Sequence, residues 1–193
     1  MKRAFDCMLS AICLIVFSPL LICCGLAIFI EDGKPVIFSQ ERIGLHGKPF
    51  RIYKFRSMHM GAESIGEPQL LEISGDSRLT RVGEFLRRHH LDELPQLWNV
   101  FIGDMAFIGP RPERKYYIEK IIEKDPRYTQ LYQIRPGVTS YATLYNGYTD
   151  TMEKMLRRLE LDLYYLEHRS WWFDIKILAK TFKIGRASCR ERV

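Results

Sequence analysis

The stretch Leu91-Asp92-Glu93-Leu94-Pro95-Gln96-Leu97 sets two adjacent carboxylates at the head of an apolar run that continues through Trp98 and Phe101. The spacing Leu94, Leu97, Trp98, Phe101 has helical period and predicts a helix that begins at Asp92. In the simplest reading an Asp in that place is an N-cap. The positive end of the backbone dipole would then keep it ionised at neutral pH. Pro95 is tolerated in a first turn, where its missing N–H would have had no intrahelical partner. The neighbours argue for more than a cap. Arg87-Arg88-His89-His90 comes before the carboxylates, and Gly103-Asp104-Met105 and Gly109-Pro110-Arg111-Pro112 come after. Ionised carboxylates among many cations suit phosphate chemistry, with a metal ion as mediator.

The rest of the composition narrows the partners. The chain has 193 residues, 47% hydrophobic and 27% charged, with a formal net charge of +6. That length fits one modest core, and the basic balance points to anionic partners. Nucleic acid is set aside, because the charges are scattered among apolar and aromatic residues and no zinc-finger, helix-turn-helix or RNP pattern is present. Cys7, Cys13, Cys23, Cys24 and Cys189 lack metal-ligand spacing and form no disulfide framework, so they read as small apolar residues in a reducing compartment.

From Cys7 to Ile30 there is no charged residue, a run of about 24 that reaches the length of a membrane helix. Neither the short apolar core nor the small-residue site of a cleaved signal peptide is seen. Met1-Lys2-Arg3 marks the start as cytoplasmic, yet Lys34, Arg42, Lys48 and Arg51 load the other flank with the same charge. Ser18-Pro19 divides the run into halves of roughly 16 Å each, about half a bilayer core. Pro19 removes a helix hydrogen bond, and the Ser18 hydroxyl can satisfy the freed carbonyl. The expectation is a re-entrant helical hairpin that enters and leaves on the cytoplasmic face. An ordinary kinked spanning helix is the alternative.

Val36 to Gln40 and Phe50 to Phe55 read as the strands of a β-hairpin, joined through Gly44 to Pro49. Lys54 and Arg56 share one face at period two, either as a pair of cations for an anionic ligand or as a solvated strand face. Residues 59 to 77 are Gly-, Ser- and Glu-rich and read as a mobile loop. A short basic helix follows over Thr80 to His90, with Thr80 as its N-cap, and it delivers Arg87 and Arg88 close to Asp92. His89 and His90 are adjacent, diverge on a helix, and make a poor chelating pair.

Pro110 and Pro112 restrict the backbone on both sides of Arg111, and a guanidinium held in that way suits bidentate phosphate binding. A turn that merely starts the next helix, from Glu113 to about Lys124, is the alternative. Arg135-Pro136-Gly137 reads as a tight turn. Met152 to His168 is an amphipathic helix with Asp162 inside it. Ser170 caps a last helix whose Trp171, Trp172, Ile175, Leu178 and Phe182 alternate with Lys176, Lys180 and Lys183. That pattern predicts a helix lying in the membrane interface, against the alternative of a core helix with one wet face. The basic stretch from Gly185 to Val193 has no apolar period and reads as a disordered or non-native tail.

Four motifs in order, Lys54-Phe55-Arg56-Ser57-Met58, Leu91 to Leu97, Asn99 to Met105 and Gly109-Pro110-Arg111-Pro112, resemble the bacterial sugar transferase family of monotopic phosphoglycosyl transferases. The resemblance runs from about Lys2 to about Ile184. It implies an α+β fold with a membrane-embedded re-entrant helix over 1–33 and a mainly helical cytosolic catalytic domain over 34–184. That domain would carry a small β-hairpin and interfacial amphipathic helices, with 185–193 left as the tail. The implied reaction moves a sugar 1-phosphate from a UDP-sugar to polyprenol (undecaprenyl) phosphate and releases UMP, with Mg²⁺. The implied place is the cytoplasmic face of a bacterial inner membrane, among its lipids, with no nucleic-acid partner and with a homodimer left open. On the matching positions, Asp92 would be the nucleophile and Glu93 its partner in metal and proton chemistry. Pro110 and Arg111 would bind phosphate, Ser18 and Pro19 would break the membrane helix, and Lys54, Arg56, Arg87 and Asp162 would line the cleft.

There are departures from the family pattern. The family commonly reads Gly-x-x-Gln where this chain has Ser140-Tyr141-Ala142-Thr143, and Ala106 stands where Ser is common. The dyad is intact, so the departures bear on sugar or nucleotide preference. A pyrophosphate hydrolase resolving the same intermediate with water, and a non-catalytic membrane adaptor, are the rival classes.

Overall fold

A computed structural model of the chain describes residues 2–62, 77–146 and 151–190, with side chains through 181. Two compact units emerge, Met1–Gln40 with Arg51–Ile102 and Glu41–Phe50 with Gly103–Val193.

The first unit opens with α1 (Lys2–Val16) and α2 (Ser18–Asp32), bent by 61° at Phe17. The break is the one Pro19 dictates. Its ring leaves the Ile15 carbonyl without the usual donor four residues on, and the Ser18 hydroxyl donates to that carbonyl at 2.7 Å. Among the described residues no single helix is long and apolar enough to cross a membrane, whereas this bent pair together is. Burial on α1 is inverted. Its buried residues are Asp6 and Ser10, while Met8, Ile12, Ile15 and Val16 are exposed. On α2 one face is different, because Cys24 and Ile28 are buried in a cluster with Phe55 and Leu86. The second half of the apolar run therefore packs on protein along one side, and Ile22, Leu26, Phe29 and Ile30 remain exposed.

Strands β1 (Ile37–Ile43) and β2 (Pro49–Phe55) form the expected hairpin around a 3-10 turn at Leu45–Gly47. Its base lies in the first unit and its tip in the second. Helix α3 (Arg81–Arg88) begins as predicted, with the Thr80 hydroxyl accepting from the Gly83 N–H at 2.8 Å. A second cap was not visible in the sequence: both carboxylate oxygens of Glu31 accept backbone N–H groups of Arg81 and Val82, at 2.8 and 3.0 Å. That ties the end of α2 to the start of α3. Gly83 lets α3 sit directly on Ser57, since a Cβ there would meet the Ser57 carbonyl oxygen at 2.0 Å. Residues 63–76 of the expected mobile loop lie outside the described residues; Met58 and Leu79 on either side of it form an isolated bridge.

The helix expected to start at Asp92 starts later. Leu91–Glu93 is a single 3-10 turn entered through His90 at φ 55°, and α4 runs over Gln96–Ile102. Pro95 has no N–H to join the preceding turn to the helix, so the helix begins immediately after it. Helix α1 packs along α4, and Arg3 donates to the carbonyls of Val100 and Phe101 at 2.5 and 2.6 Å, closing the C-terminal end of α4.

In the second unit β3 (Ala106–Ile108) and β4 (Gly137–Thr139) pair in parallel, with Ala106 opposite Gly137 and Ile108 opposite Thr139. Three-residue strands carry no readable period, and Arg135-Pro136-Gly137 is the entrance to β4 rather than a free-standing turn. The two segments cross so closely at Gly109 and Gly137 that a Cβ on Gly137 would lie 2.1 Å from the Gly109 nitrogen. Helix α5 (Lys115–Lys124) starts two residues later than expected. With 3-10 residues Pro126–Gln133 and α6 (Met152–His168) it buries Ile118, Ile121, Tyr128, Leu131, Met155, Leu159 and Leu163. Each such side chain contributes about 1.5–3 kcal/mol on leaving water. Helix α7 (Trp171–Arg190) is capped by Ser170, whose hydroxyl accepts from the Phe173 N–H at 3.2 Å. Its Ile177 is buried with Ile108 and Tyr165, while Trp171, Trp172 and Ile175 on other positions are exposed. One helix thus has a core face and an exposed apolar face together. It also continues through 185–190, the start of the stretch read as a disordered or non-native tail; 191–193 lie outside the described residues.

Candidate active site

The carboxylate pair sits in the first unit on the Leu91–Glu93 turn, where α3 ends and α4 has not begun. Asp92 is buried at 7% exposure, and Glu93 is held by an ion pair from its Oε1 to the Lys54 Nζ at 2.6 Å. Lys54 comes from β2. Arg87 comes from the last turn of α3, and its Nε donates to the Ser57 hydroxyl at 2.8 Å. The structure therefore brings Asp92, Glu93, Lys54 and Arg87 together, as the sequence suggested.

Their electrostatics differ from the expectation. Burial pushes the Asp92 carboxyl above its ordinary value and Glu93 beside it adds to that push, while Lys54, Arg87 and His90 pull the other way. The 3-10 turn accounts for the reversal: Asp92 does not head a helix and gains no full dipole, so desolvation and a like charge decide. A carboxylate pair of this kind is stabilised by any cation that approaches it.

Arg56 does not join the group. It is 5% exposed, and its Nη2 donates to the carbonyls of Asp32 and Gly33 at 2.7 and 3.1 Å and pairs with the Asp32 carboxylate at 3.0 Å. Cations at a helix C-terminus offset its negative end, and Arg56 does this for α2. The period-two reading put Lys54 and Arg56 on one strand face, but β2 ends at Phe55 and Arg56, just beyond it, is a structural clamp.

The other predicted residues lie in the second unit. Pro110 and Arg111 follow the Gly109 crossing, and the Pro110 carbonyl accepts from the Gly137 N–H at 2.9 Å. The loop is thus fixed by β4 as well as by its own prolines. Asp162 on α6 is 2% exposed, and its carboxyl is pushed up to about 8 by burial, against the pull of Arg158 and of hydrogen bonds from the backbone N–H groups of Ala142 and Arg111. Beside it Glu113 accepts from Arg158 at 2.8 Å and lies 3.8 Å from Arg42. Asp162 lines a small pocket with Arg111, Glu113, Arg158 and apolar side chains of the unit's core. It is accordingly an interior carboxyl that fastens the Arg111 backbone to the turn at Ala142. Ser18 and Pro19 stand at the helix break described above.

The donor set bears on the metal that the family resemblance implies. Among the described residues no group of three or more His, Cys, Asp and Glu could hold an ion. Two neighbouring carboxylates fit Mg²⁺ of the kind completed by substrate phosphates and water, and do not make an all-protein cage.

Comparison with known proteins gives the family. The sequence pattern of the bacterial sugar transferases matches residues 1–187. The chain is 42% identical over 183 residues to the UDP-glucose:undecaprenyl-phosphate glucose-1-phosphate transferase of Escherichia coli (strain K12), covering 94% of this chain and 39% of that protein. It is 38% identical over 182 residues to the UDP-N-acetylgalactosamine-undecaprenyl-phosphate N-acetylgalactosaminephosphotransferase of Aeromonas hydrophila, covering 94% and 43%. A Caulobacter vibrioides protein named as the first is 41% identical over 183 residues, covering 93% and 67%. The chain thus spans about two fifths of the length of the first two relatives. With the family's pattern matched over residues 1–187, the chain belongs to the bacterial sugar transferase family.

Proposed function

We propose that this chain is a phosphoglycosyl transferase that moves a sugar 1-phosphate from a UDP-sugar to undecaprenyl phosphate and releases UMP. The observation that carries the reading is the Asp92–Glu93 pair on its turn, with Lys54 and Arg87 beside it. The relatives' names agree in donor class and acceptor.

In the proposed path an Asp92 carboxylate oxygen attacks the β-phosphorus of the donor. The new Asp92 O–P bond forms as the bond from that phosphorus to the bridging oxygen breaks, and UMP leaves with the electron pair. A phosphate oxygen of the lipid then attacks the same phosphorus, and the bond to Asp92 breaks to restore the carboxylate. Lys54 holds Glu93 and draws the proton affinity of Asp92 down, favouring the charged nucleophile against the upward push of burial and of Glu93. To Arg111 we assign the binding of a substrate phosphate, a role supported by its motif and its doubly fixed loop. Asp92 and Glu93 would hold Mg²⁺, which when bound neutralises phosphate oxygens and eases attack by an anion.

The inverted burial of α1 and the exposed apolar positions of α2 support a membrane-embedded N-terminus. Each helix of 15 residues spans about 22 Å, less than a bilayer core. With the 61° bend and basic residues on both flanks, we read it as re-entrant from the cytoplasmic face of the inner membrane. The exposed Trp171, Trp172 and Ile175 of α7 are assigned to the interface.

The test is UMP release from a panel of UDP-sugars by detergent-solubilised protein with Mg²⁺, with and without undecaprenyl phosphate, beside Asp92→Asn. Lipid-dependent release that vanishes in Asp92→Asn is the expected result. Release without lipid would make the protein a hydrolase, and activity surviving in Asp92→Asn would remove the covalent path.

A further inference from the structure

Building on the transferase reading, we propose that Asn99 is a positioning residue for the carboxylate pair, acting by docking the outer edge of β2 onto α4. Asn99 lies on α4, one turn after the pair's own turn, and is fully buried. Its Oδ1 accepts from the Tyr53 N–H at 3.0 Å and its Nδ2 donates to the Arg51 carbonyl at 2.7 Å. These two backbone groups flank Ile52 on the edge of β2 turned away from β1. A parallel neighbour strand would engage the same two groups through the N–H and C=O of one residue, so the Asn99 amide stands in for one residue of a third strand. Few side chains can do this. An amide carries a donor and an acceptor in one plane, a carboxylate only accepts, and an apolar residue of equal size does neither.

The consequence falls on Lys54, the next residue along β2 after Tyr53. Its Nζ meets Glu93 at 2.6 Å across the gap between strand and turn. A long flexible side chain at about one-fifth exposure would hold that geometry poorly from a free strand edge. With both flanking backbone groups bonded to α4, strand and turn become one frame, and the ammonium is delivered to the pair at fixed height. Misplacement by about 1 Å can cost on the order of 10²-fold in a catalysed step.

The decisive experiment is a double-mutant cycle in the UMP-release assay on full-length protein in detergent, with Asn99→Ala, Lys54→Met and the pair combined. Asn99→Ala should lower kcat by on the order of 10²-fold and leave KM for the UDP-sugar nearly unchanged. In the Lys54→Met background the same substitution should cost less than about threefold, because the cation it places is already gone. A residue that only stabilises the fold would reduce activity by the same factor in both backgrounds, and that outcome overturns the proposal. Asn99→Gln keeps both hydrogen-bonding groups and should recover more kcat than Asn99→Asp, which keeps the acceptor alone; the reverse order also overturns it. Should Asn99→Ala not fold, amide exchange in the unaltered protein decides instead: a Tyr53 amide exchanging as fast as an unstructured one sinks the proposal, and protection supports it. A wild type that releases no UMP from any donor fails the transferase reading itself, a result distinguishable from all of these.

Discussion

Two carboxyls in this molecule have their proton affinity raised by the same first cause, burial, and yet they do different work. Asp92 in the first unit sits on a 3-10 turn with Glu93 adding to the rise and Lys54, Arg87 and His90 opposing it. Asp162 in the second unit is enclosed by α6, Arg158, Glu113 and the backbone of Arg111 and Ala142. The first arrangement leaves charge that an incoming cation or phosphate can complete. The second is closed in by groups of the protein, with one Asp162 oxygen left buried and without a hydrogen-bond partner. A perturbed carboxyl therefore marks a reacting site when its compensating charges come from side-chain cations that an incoming ligand can share. Where they come from backbone N–H groups and an internal ion pair, it marks a fastening.

The comparison breaks most directly at the nucleophile. Asp92→Asn should lower UMP release by on the order of 10³-fold or more, whereas Asp162→Asn should keep it within about tenfold; equal losses in the two would erase the distinction. Cations give the next largest contrast. Arg158→Met takes from Glu113 the nearer of its two arginines and from Asp162 its facing cation, in a poorly hydrated place, and should cost about 3 kcal/mol of stability, read as a lower Tm. Lys54→Met at a partly exposed pair should cost less than about 1 kcal/mol while kcat falls. A smaller effect is expected where helix α3 meets its support. Gly83→Ala would drive a Cβ to within 2.0 Å of the Ser57 carbonyl oxygen, so α3 must move away at about 2 kcal/mol. Arg87 then loses the Ser57 hydroxyl, and kcat/KM should fall with Tm. A kcat/KM unchanged beside a lowered Tm would show that Arg87 is placed by something else.

What was legible in the sequence follows a physical line. Caps, breaks and periodicity act over a few residues, and these were readable: Thr80 and Ser170 cap where expected, Ser18 satisfies the carbonyl Pro19 orphans, and α6 runs from Met152 to His168 as its pattern predicts. The grouping of Asp92, Glu93, Lys54 and Arg87 came from the motifs. Long-range side-chain to backbone bonds left no local trace. Arg3 reads as a topology charge and closes α4 across 97 positions. Arg56 reads as a ligand for substrate and clamps the end of α2. Glu31 reads as a flank of the membrane segment and caps α3. The start of α4 was misplaced for a different reason. Apolar spacing fixes which face a helix buries, but Pro95 fixes where it can begin. Strands β3 and β4 are three residues each, too short for alternation to register.

The faintest predicted effect isolates the fastening itself. Folding raises the Asp162 carboxyl from 3.8 to about 8, so the folded chain binds a proton there that the unfolded chain has released across the interval between those values. Stability contributed by that proton is fully present near pH 4, declines as pH rises, and is gone above about pH 8. Asp162→Asn is neutral at every pH and cannot follow this decline. Its Tm in detergent should fall less than that of the unaltered protein between pH 6 and 8. Asp92, raised in the same direction, stays in both proteins and cancels from the difference. Parallel curves would mean that Asp162 is ionised inside the fold, with Arg158 rather than a proton balancing it. The second unit would then hold a charged site like the first, and the contrast between a reacting carboxyl and a fastening one would rest on Lys54 and Arg87 alone.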